Sequence, residues 1–333
     1  MDIEALHAET IIIDAVCPIT YETRYVDWYR EGGVTVVTPT VAWVQDASYA
    51  FKAIASWHAF VAGRADMRLI RTTADIVAAK AAGQTGILLH FQGTDPIEDN
   101  LDYVRIYGEL GVKVIQLCYN RRNRVGDGGS ERTDSGLSYF GLEMVAALND
   151  AGIVVDCAHT GTRTTLEAIE ASRSPVVISH GNAAAIHPSN RNVPDEVIKA
   201  IGANGGVVGV VGFPAFVHDS ARPTLDHFID HIVHIAGLIG IDHVGLGIDY
   251  ASMQWPIVSD EAAVAIYDQA IAAGIWRADT YPKPPYYYPA GIETPQTMIN
   301  LTRRLAERGF DEASIRKLLG ANWMALYRAV WGE

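Results

Sequence analysis

An α/β chain folded as one (β/α)₈ TIM barrel, with its C-terminal helices packed on the barrel, is what this sequence predicts, and three observations predict it. Eight short β-branched runs recur between residues 11 and 248 with amphipathic stretches between them. Strand and helix alternating eight times is the pattern of a closed parallel barrel. The runs are continuously apolar rather than alternating, as parallel strands covered on both faces require. Each return from helix to strand passes through glycine, at Gly83, Gly111, Gly152 and Gly205. Glycine there supplies the left-handed cap that turns the chain back. A doubly wound open sheet is the competing architecture, but no GxGxxG opens a helix after the first run. With 333 residues, 49% of them hydrophobic and 20% charged, a single barrel domain over 1–333 has ample material for its core.

The predicted strands span residues 11–14, 34–37, 86–91, 112–117, 153–157, 176–179, 206–211 and 244–248. Asp46 opens a long Ala-rich helix after the second. Thr72-Thr-Ala-Asp75 is a capping box, the hydroxyl and the carboxylate each satisfying an orphan N–H, so a helix starts there too. Residues 281–289, Tyr-Pro-Lys-Pro-Pro-Tyr-Tyr-Tyr-Pro, break the pattern after the eighth strand and predict an irregular segment, either a rigid surface connection or a substrate-facing lid. Residues 294–331 read as helical throughout, with Asn322-Trp-Met-Ala-Leu-Tyr-Arg packing back onto the barrel.

A formal charge of -13 disfavours nucleic acid or an anionic membrane as the main partner, since both reward a basic surface. A small molecule is the expected partner. Cys17, Cys118 and Cys157 form neither a disulfide framework nor a CxxC knuckle, which implies a reducing compartment. The N-terminus has no basic and apolar leader pattern, and no apolar run reaches membrane-spanning length. A cytoplasmic protein is the expectation.

Two strands end in histidine: Ile153-Val-Val-Asp-Cys-Ala-His159 and Val176-Val-Ile-Ser-His180. Imidazoles at the C-terminal mouth of a barrel are placed to hold a metal where such folds do chemistry. Asp249 ends the eighth strand, where a carboxylate can close a metal site and take a proton from bound water. Arg191 lies in a loop beyond His180, and its guanidinium fork suits a substrate carboxylate. His90 and Gln92 alternate on the third strand and share a face. Gln92 offers a cation only a neutral oxygen; His90 and Cys17 are candidate substitute donors. Tyr119 and Asn120 follow the fourth strand. The phenol can donate to a developing oxyanion, and Asn120 is placed as a substrate contact. The basic loop that follows, from Arg121 to Gly129, could attract an anion or be simply solvated.

In this order, Asp156-Cys-Ala-His159, Pro175-Val-Val-Ile-Ser-His180, Arg191-Asn-Val-Pro-Asp195, Gly240-Ile-Asp-His-Val-Gly-Leu-Gly-Ile-Asp249, Gly291-Ile292 and Leu319-Gly-Ala-Asn322 resemble the renal or membrane dipeptidase family of the amidohydrolase superfamily, over nearly the whole chain. The resemblance implies a (β/α)₈ barrel, dipeptide hydrolysis at a two-zinc centre and, for many members, a homodimer. It implies that His159 and His180 ligate the second zinc, that Asp249 ligates the first and shuttles the proton, and that Arg191 holds the substrate carboxylate. Three positions depart from the family. Val16-Cys17-Pro18 stands where the family has His-x-Asp, Gln92 replaces the bridging glutamate, and Tyr119 stands where a histidine polarises the scissile carbonyl. The expectation is therefore a hydrolase of an amide or C–N bond in a small carboxylated substrate, with one zinc per chain on His159, His180 and a third donor among Gln92, Asp249 and His90. A lyase, decarboxylase or isomerase on the same metal and a catalytically inactive binding protein are the alternatives.

Overall fold

The computed structural model describes residues 1–332. Eleven strands form: β1 (Ile13–Asp14), β2 (Val36–Val37), β3 (Thr40–Ala42), β4 (Met67–Leu69), β5 (Thr85–Ile87), β6 (Leu89–Phe91), β7 (Val112–Gln116), β8 (Val154–Asp156), β9 (Val176–Val177), β10 (Val208–Val210) and β11 (Val244–Leu246). All pairings between them are parallel. They lie in two runs, β10-β11-β1-β2-β5-β4 and β3-β6-β7-β8-β9. The second and third barrel strands are each broken in two, β2 with β3 and β5 with β6, so their lower halves belong to one run and their upper halves to the other. A bridge from Ile178 to Val208 joins the remaining edges. The eight predicted strands thus occur in barrel order.

The observed strands are shorter than the apolar runs: Ile13–Asp14 and Val36–Val37 begin two residues into theirs, while Val176–Val177 and Val244–Leu246 end two residues before theirs do. β3 lies beyond the predicted run 34–37, and β4 was not among the eight expectations at all. It carries Met67-Arg68-Leu69, too short and too mixed to announce itself, and pairs with the lower half of the third barrel strand. Asp46 caps the helix Ala47–Ala62 through Tyr49 N at 2.8 Å, and the Thr72–Asp75 capping box forms as expected. The C-terminal segment is helical with one interruption: Ile299–Glu307 is followed by a turn, then by Glu312–Arg316, a wide turn over Lys317–Ala321 and Asn322–Trp331.

That last helix covers the barrel floor. Val36, Leu88, Val114, Val154 and Val177 pack in one buried cluster with Trp323, Tyr327 and Val330. The Trp323 indole donates to Leu246 O at 3.1 Å, so the ring meets the barrel with its polar edge satisfied. Among the described residues no helix is long and apolar enough to cross a membrane.

Candidate active site

The mouth is marked by its backbone. Four non-glycine residues have positive φ, and three of them, Asn120, His159 and Asp249, follow barrel strands at φ +60°, +62° and +62°. Such conformations cost free energy and persist where the surroundings hold them. They turn successive side chains inward at the strand ends.

His159 and His180 meet there with Nε2 2.7 Å from Nε2. Their outer nitrogens determine their tautomers. Asn120 donates its amide Nδ2 to Ile275 O at 3.3 Å, which fixes Oδ1 as the end facing His159 Nδ1 at 2.7 Å. An amide oxygen only accepts, so His159 carries its proton on Nδ1. On the other side, Ser179 Oγ donates to Asp156 Oδ2 at 2.5 Å, leaving only lone pairs toward His180 Nδ1 at 2.8 Å. His180 therefore also carries its proton on Nδ1. Burial first, then the Arg191 guanidinium, hold both imidazoles well below the usual histidine range. Both are neutral near pH 7, and two Nε2 lone pairs face one another.

Among the described residues no three His, Cys, Asp or Glu side chains converge on a point that could hold a metal. Gln92 spends its amide on Thr40 Oγ1 at 2.7 Å. His90 lies below the pair, its Nε2 3.4 Å from Asp156 Oδ2, with neither ring nitrogen hydrogen-bonded. The Cys17 thiol is buried against Asp14 O and Thr38 N, and burial pushes its pKa up, which works against a thiolate donor. Cys118 and Cys157 are buried with their thiols pushed up by the same cause. His159 and His180 are the imidazoles that would hold a metal here.

Asp249 is half-buried at the mouth, and burial pushes its carboxyl up to about 8 despite the opposing pull of Arg191. Tyr119 stacks on His159, ring centroids 4.4 Å apart, and its hydroxyl accepts from the Trp276 indole at 3.2 Å, leaving its own proton for another acceptor. Arg191 is 6% exposed, lies over the Phe216 ring at 5.4 Å and has a buried Nε without a partner. Asn120, placed by sequence as a substrate contact, is 1% exposed, with Oδ1 shared between His159 and the Tyr281 hydroxyl. Here it orients His159.

Two cavities of about 400 Å³ each open around this centre and both touch His159. One is polar and includes Thr160, Ser189, Asn190 and Arg191. The other is walled by Trp43, Tyr119, Phe213, Met253, Trp276 and Tyr281, with Gln92 and Asp249 on its lining. The Pro- and Tyr-rich segment thus sends Tyr281 into the cavity, which favours the substrate-facing of its two readings. Trp43, Phe213 and Trp276 carried no sequence signal, because nothing in their neighbourhoods indicates that three distant loops meet. Asp156 and Ser179 were visible only as parts of the strands that end in histidine.

Residues 3–264 match the model of the membrane dipeptidase family, peptidase family M19. An uncharacterized dipeptidase of Schizosaccharomyces pombe is 35% identical over 192 residues, which cover 56% of this chain and 46% of that protein. The dipeptidase tcpJ of Claviceps purpurea is 25% identical over 267 residues, 79% of this chain and 55% of that protein. The chain thus spans about half the length of these curated relatives. Among solved structures, an amidohydrolase from Pseudomonas aeruginosa superposes with a TM-score of 0.91 at 34% identity, covering 100% of both chains. A metallo peptidase from Rhodobacter sphaeroides, solved with a phosphinate mimic of the dipeptide L-Ala-D-Ala, shares the fold with a TM-score of 0.78 at 21% identity, covering 97% of this chain and 100% of that one. With the barrel order, the two histidines at the strand ends and these matches together, the chain belongs to the membrane dipeptidase family, peptidase family M19.

Proposed function

We infer that this chain is a metal-dependent hydrolase that cleaves an amide or other C–N bond in a small carboxylated substrate, with one cation per chain on His159 and His180. The observation that carries the reading is the facing pair of Nε2 atoms at 2.7 Å, each left with a lone pair by the partner on its other nitrogen. A divalent ion held there, zinc being usual in the family, supplies a Lewis acid and a means of activating water near neutral pH.

The chain's own residues do the rest. Arg191 receives the substrate carboxylate on a guanidinium whose buried Nε has no other partner. Tyr119 directs its hydroxyl proton toward the oxyanion that develops on the scissile carbonyl. Asp249, whose carboxyl burial pushes up, is the group placed at the mouth to pass a proton to the departing nitrogen. Trp43, Phe213 and Trp276 exclude water on the apolar side.

Elemental analysis of protein purified without chelator tests the reading, with about one zinc per chain expected from the single donor pair. His180→Ala should lose metal and turnover together, and an active, metal-replete variant would remove the ligand assignment. A binding-protein reading is favoured by one observation, that no third His, Cys, Asp or Glu joins the pair among the described residues. No metal uptake from added zinc, with no turnover of a library of carboxylated amides, would establish it instead.

A further inference from the structure

The two cavities that reach His159 differ in character, so a substrate cleaved there has one polar and one apolar side to occupy. The polar side is lined by Arg191, Ser189 and Asn190, a setting for a carboxylate. The other side is an aromatic box. Trp276 and Tyr281 stack with ring centroids 4.2 Å apart, Phe213 packs edge-on to both at 6.2 and 6.0 Å, and Trp43 lies 6.5 Å from Tyr119. These rings brace one another, so the box is preformed.

The charges of the box decide what it accepts. Three residues at departures from the family pattern, Pro18, Gln92 and Tyr119, line this cavity, and none carries a charge. Asp249 is the one carboxyl on its lining. Aromatic faces attract cations, which would favour an ammonium group. Arg191 opposes that: its guanidinium lies over the Phe216 ring at 5.4 Å, and that ring packs on Phe213 and Tyr281 of the box with centroids 4.9 and 5.5 Å apart. An ammonium brought into the box would be stripped of water beside a guanidinium, whereas an uncharged acyl chain needs no counter-charge.

We propose that the site takes N-acyl amino acids with a bulky, apolar, uncharged acyl group in preference to dipeptides with a free N-terminal ammonium. This deepens the hydrolase reading and rests on it. One water is consumed. Its oxygen bonds to the acyl carbon, the C–N bond breaks, the nitrogen takes up the protons, and an apolar carboxylate and a free amino acid leave.

The test compares 3-phenylpropanoylglycine with phenylalanylglycine, which differ only by the α-ammonium, and with acetylglycine, which leaves the box empty. With the zinc-loaded full chain, kcat/KM for 3-phenylpropanoylglycine should exceed both others by about 10-fold or more. Trp43→Ala should lower that value by about 10-fold, while Trp43→Phe restores most of the loss. Dissociation constants from tryptophan fluorescence separate this proposal from the hydrolase reading. If nothing is turned over but 3-phenylpropanoylglycine still binds about 10-fold more tightly than phenylalanylglycine, hydrolysis falls and the specificity stands. Phenylalanylglycine handled as well or better, acetylglycine handled equally, or no binding of any of the three would overturn it.

Discussion

Asn120 and Ser179 decide what His159 and His180 can bind, because each occupies the outer nitrogen of one imidazole and so leaves Nε2 a lone pair. Partners of this kind contribute to metal affinity without touching the metal, and their loss commonly costs about 10–100-fold. Asn120→Leu and Ser179→Ala should each weaken Co²⁺ binding by about that factor, read from the visible absorption of the cobalt protein, while Asn120→Asp keeps an acceptor and most of the affinity. In metal-free protein the imidazole ¹⁵N signals of both histidines should report Nδ1–H. An Nε2–H tautomer in either would remove the roles assigned to Asn120 and Ser179. Arg191 acts differently. Arg191→Ala should raise KM for a carboxylated substrate with little change in kcat, since it withdraws a contact made equally in ground and transition states; unchanged kinetics would exclude it from the substrate site. His159, His180, Asp249 and Arg191 could be picked out from the sequence because strand-end and loop positions are local properties. The link from Asn120 to His159 could not, since 39 residues separate them and only the barrel closes the gap.

At the scale of elements, the strand ends carry the site only because neighbouring backbones approach closely. A Cβ on Gly247 would lie 1.9 Å from Ser179 O, so the chain after β11 and the chain after β9 touch where Ser179 and His180 begin. Backbone cannot yield as a flexible side chain can. Gly247→Ala should therefore displace the Ser179–His180 turn, lowering stability by roughly 1–3 kcal/mol as overpacking does and weakening metal binding with it. Gly237 provides the contrast: it is exposed in the helix Leu225–Ile239, and an added Cβ meets nothing within 4 Å. Gly237→Ala should raise stability by about 0.5–1 kcal/mol through helix propensity and leave the metal in place. Urea unfolding with cobalt titration of both variants checks the pair, and equal metal affinity in the two would mean that the strand contact does not position His180. The glycines after helices were legible in advance because the turn they make is local. Gly247 was not, because its constraint comes from a strand 68 residues away in sequence.

For the whole molecule, barrel closure rests on a short seam. β1 pairs with β11 through one register pair, Asp14 with Leu246, and the Asp14 carboxylate adds a bond from Ile248 N to Oδ1 at 2.8 Å. The eight-strand pattern was readable from the repeated apolar runs, but this seam was not, because a buried aspartate at the end of an apolar run reads equally well as a mouth residue. Asp14 is fully buried, its Oδ2 has no partner, and burial pushes its pKa up to about 7. Between the unfolded value of about 4 and the folded value, the native state keeps a proton that the unfolded chain has released. The unfolded state then binds fewer protons, so this residue's contribution to stability falls as pH rises through that window and levels off above pH 7. A shift of about three units corresponds to on the order of 4 kcal/mol across the window. Asp14→Asn keeps an acceptor for Ile248 N and cannot ionise. The difference in unfolding free energy, variant minus wild type, should therefore grow from pH 4 to pH 7 in urea titrations. A difference that stays flat would mean that Asp14 is ionised in the native seam and that another donor satisfies Oδ2.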